Sequence, residues 1–579
     1  MAKLTSHISP LFTSALVGTL LLGSNLAAQN PRPSVIVDSS TGAVVAPSIS
    51  TNGELGGNLS ALLFEDDLTN TVWCSTSDGR GLSWTTPLRV DDDITGAKKV
   101  FEADSIQTTS NGKIYACWRD ERNGVDDDVY FAANPGGGWL PNLRLDKGYP
   151  AGANPVRNVA FAAEGDFVAA LISTDNGNEE LYLVVSTNGG ASFTQAMAVT
   201  SHNGSADIDA IAMVIEDSLI HMAWADNFAV STSDMVYYAQ YDLGLGAFTQ
   251  TDVLVSSNIQ AAGGDVDDAI SISASGANVA VAMQADNISG TSEELWVNVM
   301  IGGTFSGDQF VGNYTAGTND VDNPVILLKD LTTVVVAWED DRLFVDEIFT
   351  ASADFSVAPV FNPDSQLSSG GGGFPRLDGA GDYVGVSFSA GASTPHAAGA
   401  AVSRDGGMTF GAGFTVSDTT GDADYAEIAF NPLYGNFLCA WLSDDFGVND
   451  LYAGGFRSQT ITPMGTFSAG NPVHMDASGF GASDDGNFFG VAVSGGMGNY
   501  TLPLGDGRNT GLQFDPYLNW SLTQIPGSLS GSLSAGGGST PSLALPPLAA
   551  GTVLYFVGVA FDANPTLSSL TDVGSVTIL

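Results

Sequence analysis

A short segment that ends in an acidic residue recurs about every 54 residues along the chain. Four strong copies read YACWRD at 115–120, HMAWAD at 221–226, VVAWED at 335–340 and LCAWLSD at 438–444. Weaker copies end at Asp66, Asp175 and Asp286, and another, GVSFSAG, begins at Gly385. Internal repetition constrains the fold more than length does, because each unit must be one supersecondary structure that stacks on its neighbours.

Each repeat unit can be divided into four short strands separated by Gly, Asn and Asp turns. In the sixth unit the strands are NPVILLKD at 323–330, TVVVAWED at 333–340, DEIFTASAD at 346–354 and VAPVFNPDSQLSS at 357–369. No segment between about 34 and 465 shows the 3.6-residue period of a helix of ten or more residues. The pattern therefore predicts an all-β protein, a β-propeller of about eight four-stranded blades.

The two ends of the repeat region indicate how the ring closes. PSVIVDSSTG at 33–42 resembles the fourth strand of a unit, yet it precedes the first unit. We expect this strand to complete the last blade; the alternative is that 459–469 supplies that strand. We assign 29–469 to the propeller and 470–579, where the period is lost and Gly, Ser and Pro are frequent, to a small C-terminal β-sandwich.

The N-terminus and the charge limit the location and the partners. Residues 1–28 have a lone Lys3, an apolar stretch and small residues at the end, the pattern of a secretory signal peptide, so we expect a secreted, extracellular or cell-surface protein. No later run is long enough to span a membrane. The 64 Asp and Glu against 18 Lys and Arg give a formal charge of −46, which disfavours nucleic acid and favours cations.

A second recurring pattern lies between the third and fourth strands of three units. It reads SRDGGMTF at 403–410, STNGGASF at 186–193 and, with one extra residue, TSDGRGLSW at 76–84. This resembles the Asp-box, S-x-D-x-G-x-[TS]-[WF], of the sialidase-like propeller superfamily, also called the BNR repeat. The short acceptor side chains at Asp78, Asn188 and Asp405 are suited to fastening a tight turn, so we predict a structural role for them.

Paired aspartates recur in the turns that link the units, in the segments ADIDAIAM, GDVDDAIS, NDVDNPVI and GDADYAEI. In an extended segment residues i and i+2 project to one side, so each pair presents two carboxylates together. Oxygen-only clusters suit Ca²⁺; the alternative is that these residues cap turns. The metal candidates are Asp207, Asp209, Asp265, Asp267, Asp320, Asp322, Asp422 and Asp424.

The resemblance implies an enzymatic alternative, because active sialidases bind a carboxylated sugar through three arginines and use a Tyr–Glu pair with an Asp acid. No catalytic residue can be assigned, since the first unit has VAPSIS in place of the arginine motif and FPRL at 374–377 has Pro and Arg in the wrong order. Arg119, Arg122, Arg342 and Arg376 are the ligand-binding candidates, with ion pairing to neighbouring acids as the alternative.

The sequence therefore leaves the chemistry open between binding and cleavage. We predict a binding module for a glycan or another extracellular polymer, assisted by Ca²⁺ and without an organic cofactor. The alternative is an exo-α-sialidase or another glycoside hydrolase, whose carboxylate pair the sequence does not select. The repeated tryptophans Trp118, Trp224, Trp338 and Trp441 are either sugar-stacking rings or core between blades.

Overall fold

The computed structural model describes residues 34–578 apart from several short segments, so the predicted signal peptide at 1–28 lies outside the described residues. The segments not described are 39–43, 53–58, 95–98, 101–105, 125, 147–150, 153–154, 176–178, 204–206, 231–232, 287–291, 313–319, 357–359, 392, 465–467, 469–471, 499, 502–509, 526–527, 535–540, 545–550, 562–566 and 572.

The described part of the propeller region forms eight antiparallel sheets of four or five strands. The first strand in the chain, β1 (Val35–Asp38), belongs to sheet 8. Sheet 1 contains β2 (Val44–Asn52), β3 (Leu59–Asp66), β4 (Thr71–Ser77) and β5 (Leu88–Arg89), and sheet 2 contains β6 (Lys99–Val100), β7 (Ile106–Thr108), β8 (Ile114–Asp120), β9 (Asp128–Asn134) and β10 (Leu143–Arg144). Sheet 3 contains β11 (Val156–Glu164), β12 (Phe167–Asp175), β13 (Glu179–Ser186) and β14 (Met197–Ala198), and sheet 4 contains β15 (Ile208–Glu216), β16 (Leu219–Val230), β17 (Ser233–Asp242) and β18 (Ala247–Leu254).

Sheets 5 to 8 continue the same order, after a short helix α1 (Ser257–Ala262). Sheet 5 contains β19 (Asp265–Ser275), β20 (Asn278–Asp286), β21 (Glu293–Ile301), β22 (Thr304–Phe305) and β23 (Gln309–Phe310), and sheet 6 contains β24 (Val321–Leu328), β25 (Thr333–Asp340), β26 (Glu347–Asp354) and β27 (Ser365–Gln366). Sheet 7 contains β28 (Gly372–Ala380), β29 (Tyr383–Ala390), β30 (Ala397–Ser403) and β31 (Phe414–Thr415), and sheet 8 contains β32 (Ala423–Asn431), β33 (Asn436–Ser443) and β34 (Asp450–Arg457), together with β1. The all-β prediction is confirmed.

The eight sheets contact one another through their first strands. Successive contacts join β7 to β11, β11 to β15, β15 to β19, β19 to β24, β24 to β28 and β28 to β32, and β2 touches both β7 and β32. In sheet 8, Val35 of β1 pairs with Ala453 of β34, which confirms the expected role of the N-terminal strand. This pairing adds the N-terminal strand, which precedes the first repeat, to the sheet of the last repeat.

The repeated tryptophans lie inside the protein. Trp118, Trp224, Trp338 and Trp441 are each at most 1% exposed and pack into hydrophobic clusters that include residues of the neighbouring sheet. Because such rings are inaccessible to a ligand, their role is core packing and not sugar stacking. The three cysteines, Cys74, Cys117 and Cys439, are also buried and have free thiols.

The first strands carry an irregularity at a matching place. In seven sheets the pairing of the first with the second strand shifts register near its start, for example between Gly373 and Arg376 of β28 and between Asp424 and Glu427 of β32. A bulge of this kind bends the strand and redirects the side chains at the bulged residues. The bulges lie at the end of the sheets where the linking segments enter.

The C-terminal part forms two further sheets. One contains β35 (Thr460–Met464), β36 (Pro472–Ser478) and β39 (Ser542–Ala544); the other contains β37 (Phe488–Ser494), β38 (Ser530–Ser532), β40 (Val553–Phe561), β41 (Leu567–Leu570) and β42 (Gly574–Thr577). One hydrophobic cluster joins both sheets. A 3-10 turn, Ala482–Asp484, and α2 (Pro516–Thr523) accompany them, and the expected boundary at 469/470 lies between β35 and β36.

The C-terminal sheets contact the opposite end of sheets 7 and 8 from the bulges. Asp382, in the turn between β28 and β29, accepts a hydrogen bond from the backbone N of Ser483 at 2.7 Å. Arg457 at the end of β34 donates to the carbonyl oxygens of Leu570 and Thr571. The bulged end of these two sheets is therefore left accessible. Among the described residues, no helix has the length and hydropathy needed to cross a membrane.

Candidate functional site

A cleft of about 330 Å³ lies at the bulged end of sheets 6, 7 and 8. Its walls come from the turn after β25, the segment that enters β28, the turn between β29 and β30, and the start of β32. The residues that line it are Glu339, Val345, Asp346, Gly371, Gly372, Gly373, Phe374, Ser389, Gly391, His396 and Asp424. The cleft thus combines an aromatic ring, three carboxyl groups and one imidazole.

Two aromatic rings stand together at the bulges of sheets 7 and 8. Phe374 and Tyr425 are 45% and 49% exposed, and their rings stack with centroids 5.7 Å apart and planes 28° apart. Both residues have φ of +54°, a left-handed conformation that is costly for large side chains. The bulges therefore hold two large apolar rings in solvent at some cost in backbone energy, beside the cleft.

Buried polar contacts fix the bulge of sheet 7. Glu339, 8% exposed at the end of β25, accepts hydrogen bonds from the backbone N of Phe374 at 2.5 Å and from Nδ2 of Asn323 at 2.7 Å. On the other side, Nε of Arg376 donates to Glu427 at 2.8 Å and links β28 to β32. The position of the aromatic pair is thus tied to three adjacent sheets.

The carboxyl groups of the cleft are all less acidic than usual. Burial is the main cause that raises the pKa of Glu339, Asp346 and Asp424, and neighbouring carboxylates raise each of them further. His396 Nδ1 lies 2.9 Å from Asp422 and 3.1 Å from Asp424, which partly offsets the negative charge. The cleft consequently favours hydrogen-bond donors and cations over anions.

The predicted arginines are held by different carboxylates. Arg122 binds Asp120 and Asp92 and lies over the Tyr130 ring, and Arg342 repeats this arrangement in sheet 6 with Asp340, Asp364 and Phe349.

Of the other two candidates, Arg119 donates to the carbonyl oxygens of Val156 and Arg157, and Arg376 binds Glu427. These contacts tie together strands and linking segments. The structure does not bring the four guanidinium groups to a common carboxylate.

The predicted aspartate pairs fall into several local clusters. Asp422 and Asp424 both reach His396, and Asp267 lies with Asp286 and Glu293, whose ligand atoms are all within 4.8 Å of one another.

The remaining metal candidates have other neighbours. Asp207 accepts from Asn227 at 3.2 Å, Asp322 from Gln284 at 3.1 Å, and Asp265 from the backbone N of Asp234 at 2.5 Å. The backbone N of Asp320 donates to Asp341, and Asp209 lies near Asp234. The group of Asp267, Asp286 and Glu293 offers oxygen ligands alone, the donor type that Ca²⁺ prefers.

Two carboxyl groups among these clusters titrate near neutrality. Burial, followed by the charges of Asp209 and Asp265, raises the pKa of Asp234 to about 7. Burial, followed by the charges of Asp267 and Asp322, raises the pKa of Glu293 to about 7. In both cases, nearby carboxylates at the bulged end of sheets 4 to 6 add to the effect of burial.

Comparisons with known proteins give remote similarity. No protein-family model and no curated protein matches the sequence. Among solved structures, the polysaccharide lyase Uly1 has a TM-score of 0.42 and 7% identity over 70% of this chain and 90% of that chain. The lectin of Aleuria aurantia has a TM-score of 0.31 and 10% identity, covering 57% and 97%. An endo-arabinase from Bacteroides thetaiotaomicron has a TM-score of 0.25 and 12% identity, covering 50% and 88%.

The turns predicted to be structural lie at the end of the sheets opposite the cleft. Ser403 Oγ donates to Asp405 Oδ1 at 2.7 Å and accepts from the backbone N of Gly407 at 2.7 Å, while Asp405 accepts from the backbone N of Thr409 at 2.9 Å. The turn at 186–193 repeats these bonds, with Asn188 as the acceptor. In the longer turn, Asp78 binds Arg80 at 2.7 Å. The acceptor side chains of all three turns are thus used within the turn.

Sequence reasoning missed the most informative residues of the cleft. Phe374 and Tyr425 lie in non-equivalent sequence contexts, GGFP and DADYA, so no repeat pattern marks them. His396 is far along the chain from its partners Asp422 and Asp424. One available signal was the X-Pro or D-x-D segment at the start of units 6, 7 and 8, which coincides with the bulges.

Proposed function

We propose that the protein binds carbohydrate at the cleft between sheets 6, 7 and 8. The observation that carries this proposal is the exposed, stacked pair of Phe374 and Tyr425 beside a cleft lined by carboxyl groups. Sugar rings present apolar C–H faces that stack on aromatic rings and hydroxyl groups that donate to carboxylates. The arrangement meets both requirements, and the bulges hold it in place.

The architecture that supports this proposal is an eight-bladed propeller with an appended C-terminal β-sandwich. The order of contacts from β2 around to β32 and back to β2 supports a closed ring, and the turns at 186–193 and 403–410 support membership in the Asp-box superfamily. We also propose secretion after removal of 1–28, which N-terminal sequencing of the exported protein would test.

The proposed binding is tested with immobilised and soluble polysaccharides of neutral, cationic and anionic composition. We expect Phe374→Ala and Tyr425→Ala each to weaken binding about tenfold, because each removes one stacking ring. Phe514→Ala is the matched control, since Phe514 is also exposed and stacks on Tyr500 at 5.3 Å and 28°, but lies in the C-terminal part. Wild-type protein that binds none of the polymers, or equal losses in all three variants, would refute the proposal.

We propose Ca²⁺ as the cation at Asp267, Asp286 and Glu293, since their carboxylates fit its preference for oxygen ligands. Bound Ca²⁺ stabilises the folded state by mass action, so we expect the thermal midpoint to rise with CaCl₂ and to fall with EDTA. Asp267→Asn should abolish this response, whereas Asp476→Asn, an exposed position in β36, should retain it. A midpoint that is indifferent to Ca²⁺ in the wild type would contradict the assignment.

Glycoside hydrolysis is the second candidate function, favoured by the raised pKa of the buried Glu339 in the cleft wall. A carboxyl group of this kind can act as a general acid opposite a second carboxyl group, and Asp346 and Asp424 line the same cleft. Time-dependent release of reducing ends from a bound polysaccharide, lost in Glu339→Gln, would establish cleavage. Binding without any release would leave the binding function alone.

A further inference from the structure

We propose that the cleft is selective for a positively charged sugar, an amino sugar with a free ammonium group, over its neutral and anionic counterparts. This inference rests on the proposed function, because it names the class of saccharide that the same cleft takes. It differs from the anionic sugars that the sialidase resemblance implies.

The residues that line the cleft carry mainly acidic groups. Glu339, Asp346 and Asp424 contribute three carboxyl groups, and none of the residues that line the cleft in the described structure is a lysine or arginine. The one basic group, His396, is already placed between Asp422 and Asp424. The nearby Arg376 is engaged by Glu427. A ligand in the cleft therefore meets negative charge that these cationic groups only partly balance.

The carboxylates in and around the cleft repel one another. Asp346 is destabilised as an anion by Asp322, Asp341 and Asp320 in addition to its own burial, and Asp424 by Asp422. A cation placed among such groups stabilises their ionised forms, whereas an added carboxylate or sulfate would increase the repulsion. Charge complementarity thus selects an ammonium group and disfavours an anionic substituent.

The aromatic pair of Phe374 and Tyr425 favours a sugar over a simple inorganic cation. Phe374 and Tyr425 present exposed ring surface beside the carboxyl groups. An amino sugar can stack its apolar face on this surface while its ammonium group lies near the carboxylates and the electron-rich ring faces. A small inorganic cation uses only the acidic wall, and a neutral sugar uses only the rings and hydrogen bonds.

Two oligosaccharides that differ in one group test the inference. Oligomers of glucosamine and of N-acetylglucosamine of equal length share the same ring and linkage, but only the former carries ammonium groups. By isothermal titration at a pH that keeps the sugar amines protonated, we expect the glucosamine oligomer to bind about tenfold more tightly, equivalent to about 1.4 kcal/mol. The preference should shrink as NaCl is raised, because salt screens exposed charges.

A pair of isosteric variants locates the selectivity. Asp346 is exposed at the cleft wall, so Asp346→Asn removes one charge with little risk to folding, and the ratio of the two affinities should fall about threefold or more. Asp67→Asn is the control, because it removes the same charge from an exposed turn of sheet 1. There the ratio should not change.

Three different results would contradict the proposed selectivity, the site or the function. Equal or tighter binding of the acetylated oligomer would overturn the charge selectivity and leave carbohydrate binding intact. The same change of ratio in both variants would overturn the assignment to this cleft. Failure of the wild-type protein to bind either oligomer or any polymer of the wider panel would refute the proposed function as well.

Discussion

One glycine in each of the turns at 403–410 and 186–193 packs closely against the preceding sheet. Gly407 has φ of +86°, and a Cβ atom there would lie 2.2 Å from Cγ2 of Val335 in sheet 6. Gly190 has the same relation to Phe131 in sheet 2. Because only glycine permits both the backbone angle and the close approach, these turns connect neighbouring sheets directly.

We expect Gly407→Ala to destabilise the protein more than the left-handed angle alone requires. Gly381→Ala, also in sheet 7, is the matched control, because Gly381 has φ of +60° but a Cβ atom there would have no heavy atom within 4 Å. The control should cost about 1 kcal/mol, and Gly407→Ala roughly 2 kcal/mol more for the overlap with Val335. Urea unfolding measures both; equal costs would show that the turn does not pack as described.

The buried His221 provides a pH dependence that can be assigned to one side chain. Burial lowers the pKa of His221 to about 4, and its Nδ1 lies 2.7 Å from the Tyr238 hydroxyl. In the unfolded chain the pKa is about 6.5. Between these values the unfolded state binds the extra proton, so the free energy of unfolding should fall as pH is lowered through about 6.5 to 4, by about 3 kcal/mol in total.

Thermal midpoints measured between about pH 7 and pH 4.5 test this assignment. His221→Gln should flatten the decline, even if its midpoint at neutral pH is lower. His474→Gln, at an exposed histidine of β36, should leave the decline as in the wild type. Parallel curves for the wild type and His221→Gln would show that other groups cause the acid loss.

At the scale of the elements, the bulges in the first strands of seven sheets connect the fold with the proposed site. The repeat produces a bulge in the first strand of most sheets, and among the described residues of these first-strand bulges only Asn323, Phe374 and Tyr425, in sheets 6, 7 and 8, are residues other than glycine with a left-handed angle. Two of these three carry large exposed rings. Among the first-strand bulges of the described structure, the left-handed angles are thus found in the sheets that border the cleft.

The left-handed backbone angle at Phe374 predicts that a glycine variant is more stable than an alanine variant at this position. Glycine normally destabilises a strand relative to alanine, but at φ of +54° we expect Phe374→Gly to be more stable than Phe374→Ala, by about 1 kcal/mol. Both variants should bind carbohydrate more weakly than the wild type. At Phe414 in β31, which lacks a positive φ, the alanine variant should be the more stable one. Differential scanning calorimetry compares the pairs, and the normal order at position 374 would argue against the strained bulge.

The sequence predicted the elements better than the site, for a physical reason. The repeat, the alternating strands and the turn chemistry of Asp405 depend on residues that are near in sequence, so periodicity reveals them. The cleft depends on contacts between sheets, such as Glu339 with Phe374 and His396 with Asp424. These pairs are brought together only by the stacking of three successive sheets, which no local pattern encodes.

At the scale of the whole molecule, the described C-terminal sheets and the cleft lie at opposite ends of sheets 7 and 8. The C-terminal sheets contact the turns of sheets 7 and 8 through Asp382, Tyr383 and Arg457. The same two sheets present the cleft at their opposite ends. The polymer that we propose as ligand can therefore approach the aromatic pair without displacing the described C-terminal sheets, and on the same proposal the acidic bulged end of the sheets attracts cationic partners.

The most direct test of carbohydrate binding at the cleft is a crystal structure of the protein with the tightest-binding oligosaccharide from the polymer panel. We expect a sugar ring in contact with Phe374 and Tyr425, and polar substituents within hydrogen-bonding distance of Glu339, Asp346 or Asp424. An ordered oligosaccharide bound elsewhere, with the cleft between sheets 6, 7 and 8 vacant, would contradict the proposed site.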